Sequence, residues 1–95
     1  FYQVKYQETS NSEDGVIFIT TTDLDAALEE ASNLLDVGVY RAEVYRLTRF
    51  MMPNNVLLNT DLIFTAKYDY WTTNTPNDAA IVESISRRFP NRRQM

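Results

Sequence analysis

The chain reads as an α+β domain: a four-stranded antiparallel sheet in the order β-β-α-β-β-α, with the first helix packed on one sheet face as a two-layer sandwich. Three observations lead there. Between Thr22 and Gly38 the apolar residues Leu24, Ala27, Leu28, Ala31, Leu34 and Leu35 recur at three- and four-residue steps, opposite Asp25, Glu29, Glu30, Ser32 and Asp36. The segments on both sides alternate with period two and are rich in β-branched and aromatic residues, the habit of strands with one buried face. An amphipathic helix buries its stripe most readily on the apolar side of such a sheet.

Taken in order, Phe1 to Gln7 alternates Tyr2, Val4 and Tyr6 with Gln3, Lys5 and Gln7, and reads as a strand. Glu8 to Gly15, polar and closed by Asp-Gly, reads as a hairpin loop. Val16 to Thr21 returns as a second strand, whose unbroken VIFI run suggests an inner position with apolar contacts on both faces. The helix follows, with Thr22 as its N-cap, Asp23 and Asp25 at the positive end of its dipole and Gly38 as its left-handed stop.

Val39 to Phe50 reads as a strand whose alternation slips near Leu47, Pro53-Asn54-Asn55 as a turn, and Val56 to Leu58 as either strand or connection. Leu62 to Trp71 is the clearest late strand, with Leu62, Phe64, Ala66, Tyr68 and Tyr70 on one face and Ile63, Thr65, Lys67, Asp69 and Trp71 on the other. Thr75-Pro76-Asn77-Asp78 opens a second helix with Thr75 as N-cap, Ala79, Val82, Ile85 and Phe89 as its stripe, and Pro90 as its end. Residues 1–90 form the expected domain and 91–95 a frayed basic tail.

Composition removes more chemistry than it supplies. The 95 residues include no His and no Cys, so Ser-His-Asp and Cys-His arrangements, thiolate or imidazole metal sites and disulfides are absent. Two glycines, Gly15 and Gly38, are too few for a phosphate-cradling loop or a dinucleotide fingerprint. Asp23 and Asp25 diverge in a helical first turn, and Glu29 and Glu30 sit on a solvated face, so neither pair converges on one metal or scissile bond. Asp69, between Tyr68 and Tyr70, reads as an outward strand residue near Lys67 or an arginine. No enzyme and no cofactor are expected. No apolar run approaches the roughly 18 residues of a membrane span and no signal segment opens the chain, so a cytoplasmic setting without membrane contact is the expectation.

The net charge of −4 is unevenly spread: residues 1–36 carry one base against eight acids, and residues 37–95 eight bases against five acids. Such polarity favours oriented association with a charged partner. Two candidate contact sets follow. Tyr45, Ile63 and Trp71 fall opposite the expected core face; they are core if the second helix covers them and a protein-binding patch if both helices lie on one side. Arg87, Arg88, Arg92 and Arg93 cluster around the Pro-broken helix end and form a candidate anion site, although cations there also complement the helix dipole.

In its proportions, short, acidic, cysteine-free and without catalytic residues, the chain resembles small accessory proteins encoded by phages. That resemblance implies an inhibitor or assembly factor working in a host-cell cytoplasm. The expected function is therefore a non-enzymatic protein-protein interaction module. Nucleic-acid binding through the arginines and sheet aromatics is the alternative, weakened by a pI near 4.6. A homodimer stands level with a monomer, since an uncovered sheet face or an open edge strand can take up a second copy.

Overall fold

The computed structural model describes residues 1–10 and 16–94. Its elements are β1 (Tyr2–Gln7), β2 (Val16–Thr21), α1 (Leu24–Asp36), β3 (Arg41–Met52), β4 (Asn55–Ala66), β5 (Tyr70–Thr72), α2 (Ala79–Arg88) and β6 (Arg93–Gln94). The strands form one sheet in the order β2-β1-β3-β4-β5-β6, antiparallel except for the β5–β6 pair. The α+β class holds, but the sheet is six-stranded and mixed where four antiparallel strands were expected.

The difference has two local causes. The expected late strand breaks at Lys67–Asp69: the Lys67 amide donates to the Tyr70 carbonyl at 2.9 Å, closing a turn, and Trp71 comes back opposite Ala66 on β5. Tyr68 therefore stands 82% exposed at the turn instead of facing the core. Within the segment read as a loose tail, Arg93 and Gln94 lie beside β5, the Arg93 amide donating to the Asp69 carbonyl at 3.2 Å. Val56 to Leu58 is strand. β2 occupies a sheet edge, not an inner position, because β1 pairs with both β2 and β3. Of the expected hairpin loop, 11–15 lies outside the described residues.

The helix ends follow from capping chemistry. Asp23, not Thr22, caps α1, its carboxylate accepting from the Asp25 amide at 3.0 Å, while the Thr21 hydroxyl accepts from the Asp23 amide. At the other end Gly38 takes φ +96°, its amide donates to the Leu35 carbonyl and the Val39 amide to the Leu34 carbonyl, the paired bonds of a Schellman motif. Asp78 caps α2 by accepting from the Ile81 amide at 3.3 Å. Thr75 is not the cap: it lies in the preceding turn, where its carbonyl accepts from the Asp78 amide and its hydroxyl meets that of Thr73. The later start turns the helix so that Ile81, Ile85 and Phe89 are buried, Val82 is half-buried and Ala79 is exposed.

Both helices pack on the same sheet face around one core. Ala27, Leu28, Ala31, Leu34 and Leu35 of α1 and Ile81 and Ile85 of α2 join Val4, Ala42, Val44, Phe64 and Ala66 of the sheet. Phe64 lies at its centre, with ring centroids 5.0 Å from Phe89 and 6.4 Å from Trp71. A bulge in β4 completes the core: Val44 pairs with Phe64 but Tyr45 pairs with Leu62, which leaves Ile63 as the extra residue. Ile63 and Phe64 are consequently both fully buried.

Candidate interaction surface

Helices on one side leave the other sheet face open, and that face has two unlike parts. Over the body of the sheet a polar group of side chains closes on itself, with Leu62 beside it opposite Tyr45. Lys5 pairs in register with Glu43 and sets its ammonium 4.7 Å above the Tyr45 ring. The Tyr45 hydroxyl donates to one Glu43 oxygen at 3.1 Å, and Arg41 Nε stands 3.7 Å from the other. Glu43 is thereby only 8% exposed. Burial, then the charge of Glu43, push the Tyr45 hydroxyl pKa up from its ordinary value.

Beyond Leu47 the sheet has, among the described residues, two strands. β1 leaves β3 at Arg46 and the Leu47 amide, which donates to the Phe1 carbonyl, and β5 meets β4 only at Thr65 and Ala66. Thr48–Met52 and Asn55–Asn59 therefore run on as a two-stranded arm with Pro53 and Asn54 at its tip, Pro53 presetting φ for the turn. Five residues of strand at about 3.4 Å each carry it roughly 17 Å from the body. The chain measures 46 × 31 × 20 Å along its principal axes.

The arm is apolar on both faces. Register sets Phe50 opposite Leu57 on one face and Met51 opposite Val56 on the other, with Met52 at the tip and Leu58 opposite Arg49. All six apolar side chains are about half exposed or more, from 49% for Leu57 to 73% for Met51. At the base of the arm Phe1, Thr20, Leu47, Arg49 and Leu58 line a shallow cavity of about 230 Å³.

Against this, the residues proposed from sequence separate. Ile63 and Trp71 are core, 0% and 2% exposed, and offer no surface to a partner. The bulge turns Ile63 inward and the Lys67–Asp69 turn carries Trp71 back over the core, two reversals that a plain period-two reading misses. Tyr45 alone remains on the open face, half-buried beneath Lys5. The chain matches no protein-family model, no curated protein and no solved structure.

The four arginines do not converge either. Arg87 and Arg88 are exposed in the last turn of α2, and Arg93 is exposed in β6. Arg92 ties the C-terminal segment down: its Nε donates to the Tyr68 carbonyl at 3.0 Å, its Nη2 stands 3.9 Å from Asp36, and it lies 5.5 Å over the Phe89 ring. Among the described residues no group of three or more acids or other ligating side chains could hold a metal ion, and no helix is long and apolar enough to cross a membrane.

The arm is the feature that sequence reasoning missed. Its signal was present in Phe50-Met51-Met52 and Val56-Leu57-Leu58, two uncharged apolar triplets flanking Pro53-Asn54. A run without alternation argues against one buried face, and a turn between two such runs marks a hairpin.

Proposed function

We propose that this protein is a non-enzymatic interaction module that acts by binding another protein chain, and that the β3–β4 arm is its contact element. One observation carries the reading: six large apolar side chains stand about half exposed or more on a two-stranded extension of the sheet. Monomeric proteins seldom leave such a patch uncovered, and contiguous exposed apolar surface marks association sites. The polar half of the open face, sealed by Lys5, Tyr45, Glu43 and Arg41, forms the rim beside it. A small accessory protein that inhibits or helps assemble a larger target is the role that suits this design.

The test uses Met51→Lys and Leu58→Lys, each placing a charge on the arm and away from the core. Proteins retained from native host extract by the wild-type chain are expected to fall at least tenfold with either variant while the melting temperature stays put. Retention unaltered by both variants overturns the reading. Retention that collapses with salt and follows nucleic acid transfers the function to the exposed arginines, because phosphate contacts steepen salt dependence.

A further inference from the structure

We propose that the partner of the arm is a second copy of this chain, the two β4 strands pairing antiparallel about Leu57 to join two arms into one four-stranded ribbon. The proposal rests on the reading of the arm as the contact element and names its occupant.

Among the described residues no strand pairs with the outer edge of β4 from Asn55 to Thr60, since β5 meets β4 at Thr65 and Ala66. An open edge is a row of unpaired amides and carbonyls, and proteins that stay monomeric blunt such edges with lysine, proline, inward charge or a bulge. Asn-Val-Leu-Leu-Asn-Thr carries none of these, and the bulge at Ile63 lies beyond it. The opposite edge of the arm is guarded differently, with Arg49 near the start of its β3 stretch. From Phe50 to Thr60 there is no charged residue at all, so twin arms meet without repulsion, and a charged foreign segment finds no complementary handle.

The segment is also self-complementary. Asn55-Val56-Leu57-Leu58-Asn59 has the same polarity read in either direction. Pairing about Leu57 sets Leu57 against its twin, Val56 against Leu58, and Asn55 against Asn59, so that every apolar residue meets an apolar one. Moving the pivot one residue, to Leu58, sets Leu57 against Asn59 and Val56 against Thr60 and loses that match. A two-fold interface demands this property, since the same patch must serve both partners. Opposed residues of an antiparallel pair share a face, so Val56 and Leu58 of both copies continue the Met51 face, and the Leu57 pair continues the Phe50 face.

Size sets the strength. A standard interface takes about 20–30 residues a side, and an arm of twelve residues supplies about half, so the dimer is expected to be weak and to depend on concentration.

Sedimentation of the intact chain from about 1 µM to 1 mM, with cysteine crosslinking, tests the pairing. Across an antiparallel pair Cα atoms lie about 4.5–5.5 Å apart, inside the span a disulfide accepts. The chain has no cysteine of its own, so Leu57→Cys is expected to give a covalent dimer when oxidised glutathione takes up the two electrons. Phe50→Cys sits three strand spacings, about 14 Å, from its twin and is expected to stay uncrosslinked. Leu57→Lys sets two like charges face to face and is expected to raise the dimer dissociation constant at least about 100-fold without lowering the melting temperature measured at a concentration where the wild type is monomeric.

A chain that stays monomeric to 1 mM, with Leu57→Cys no more crosslinked than Phe50→Cys, overturns the pairing, and the arm remains a contact for other proteins if Met51→Lys and Leu58→Lys release them. A dimer that survives Leu57→Lys also overturns it, by placing self-association elsewhere.

Discussion

The β3–β4 ladder is one continuous pair of strands, yet its two halves live in different surroundings. From Arg41 to Arg46 β3 is flanked by β1 and β4, lies under both helices' core, and hides Ala42 and Val44 completely. From Thr48 onward the same strand pairs, among the described residues, with β4 alone, and no helix packs on it. The half in the body alternates apolar and polar residues because it has one dry face and one wet one. The arm does not alternate: both of its faces carry apolar residues, and neither is dry in the isolated chain. Apolar residues that contribute nothing to the fold have to be explained by something that covers them.

The largest effect that can break this contrast is in the body. Trp71→Ala removes a ring packed at 6.4 Å from Phe64 and leaves a cavity beside Phe89, and is expected to cost about 3–5 kcal/mol. At about 4–8 °C per kcal/mol for a chain of this length, the melting temperature falls by more than roughly 12 °C, as followed by circular dichroism. A loss under about 1 kcal/mol would return Trp71 to the surface and remove the distinction between body and arm.

Next comes a backbone position that closes the body. Gly38 holds φ +96° with open space around the site of a Cβ, so Gly38→Ala meets no clash but forces a side-chain-bearing residue into left-handed backbone. The expected cost is about 1–2 kcal/mol, read from the midpoint of urea unfolding. Unchanged stability would mean that the Schellman bonds of α1 contribute little.

Gly38 also shows what was legible in the sequence. The α1 stripe, its stop and the α+β class could be read because helix period and the left-handed stop act within a few neighbouring residues, whereas both N-caps fell to an aspartate, Asp23 and Asp78, in place of Thr22 and Thr75. The sheet was legible only where alternation is unbroken. The extra residue at Ile63 inverts the faces of β4, so Phe64 and Leu62, assigned to one side, fall on opposite ones. β5 and β6, three and two residues long, have no period to detect and depend on the Lys67–Asp69 turn and on Arg92. Tyr45 was placed correctly on the face opposite the core, while Trp71 and Ile63 were not, because their positions were counted along a strand that turns and bulges.

A smaller effect probes the polar half of the open face. Tyr45→Phe removes the hydroxyl that serves the buried Glu43 carboxylate, at an expected cost of about 1 kcal/mol near neutral pH. Because the Tyr45 pKa is raised by folding, its protonated form favours the native state: that stability is complete below the ordinary value of about 10 and is lost as pH rises through the folded value. Lys67, whose pKa is raised by the hydrogen bond its ammonium donates to the Tyr40 hydroxyl, titrates with the same sign. The wild-type curve alone therefore mixes the two. The difference between wild type and Tyr45→Phe isolates Tyr45, and it should shrink above about pH 10. A difference constant across that range would mean that the hydroxyl makes no use of Glu43.

The smallest expected change in stability is on the arm, and its smallness is the informative part. Met51 is 73% exposed, so Met51→Lys gives up at most about a quarter of a side-chain burial, itself about 1.5–3 kcal/mol when complete, and the lysine stem recovers some of that. At a concentration where the chain is monomeric, stability should change by no more than about 0.5 kcal/mol. Amides from Thr48 to Thr60 should exchange with solvent ahead of those in β1 and the paired half of β3, since a two-stranded ribbon without a packed face has little stability of its own. Were Met51→Lys to cost as much as Trp71→Ala, or the arm amides to be as protected as the core, the arm would be part of the body and its apolar residues would need no partner.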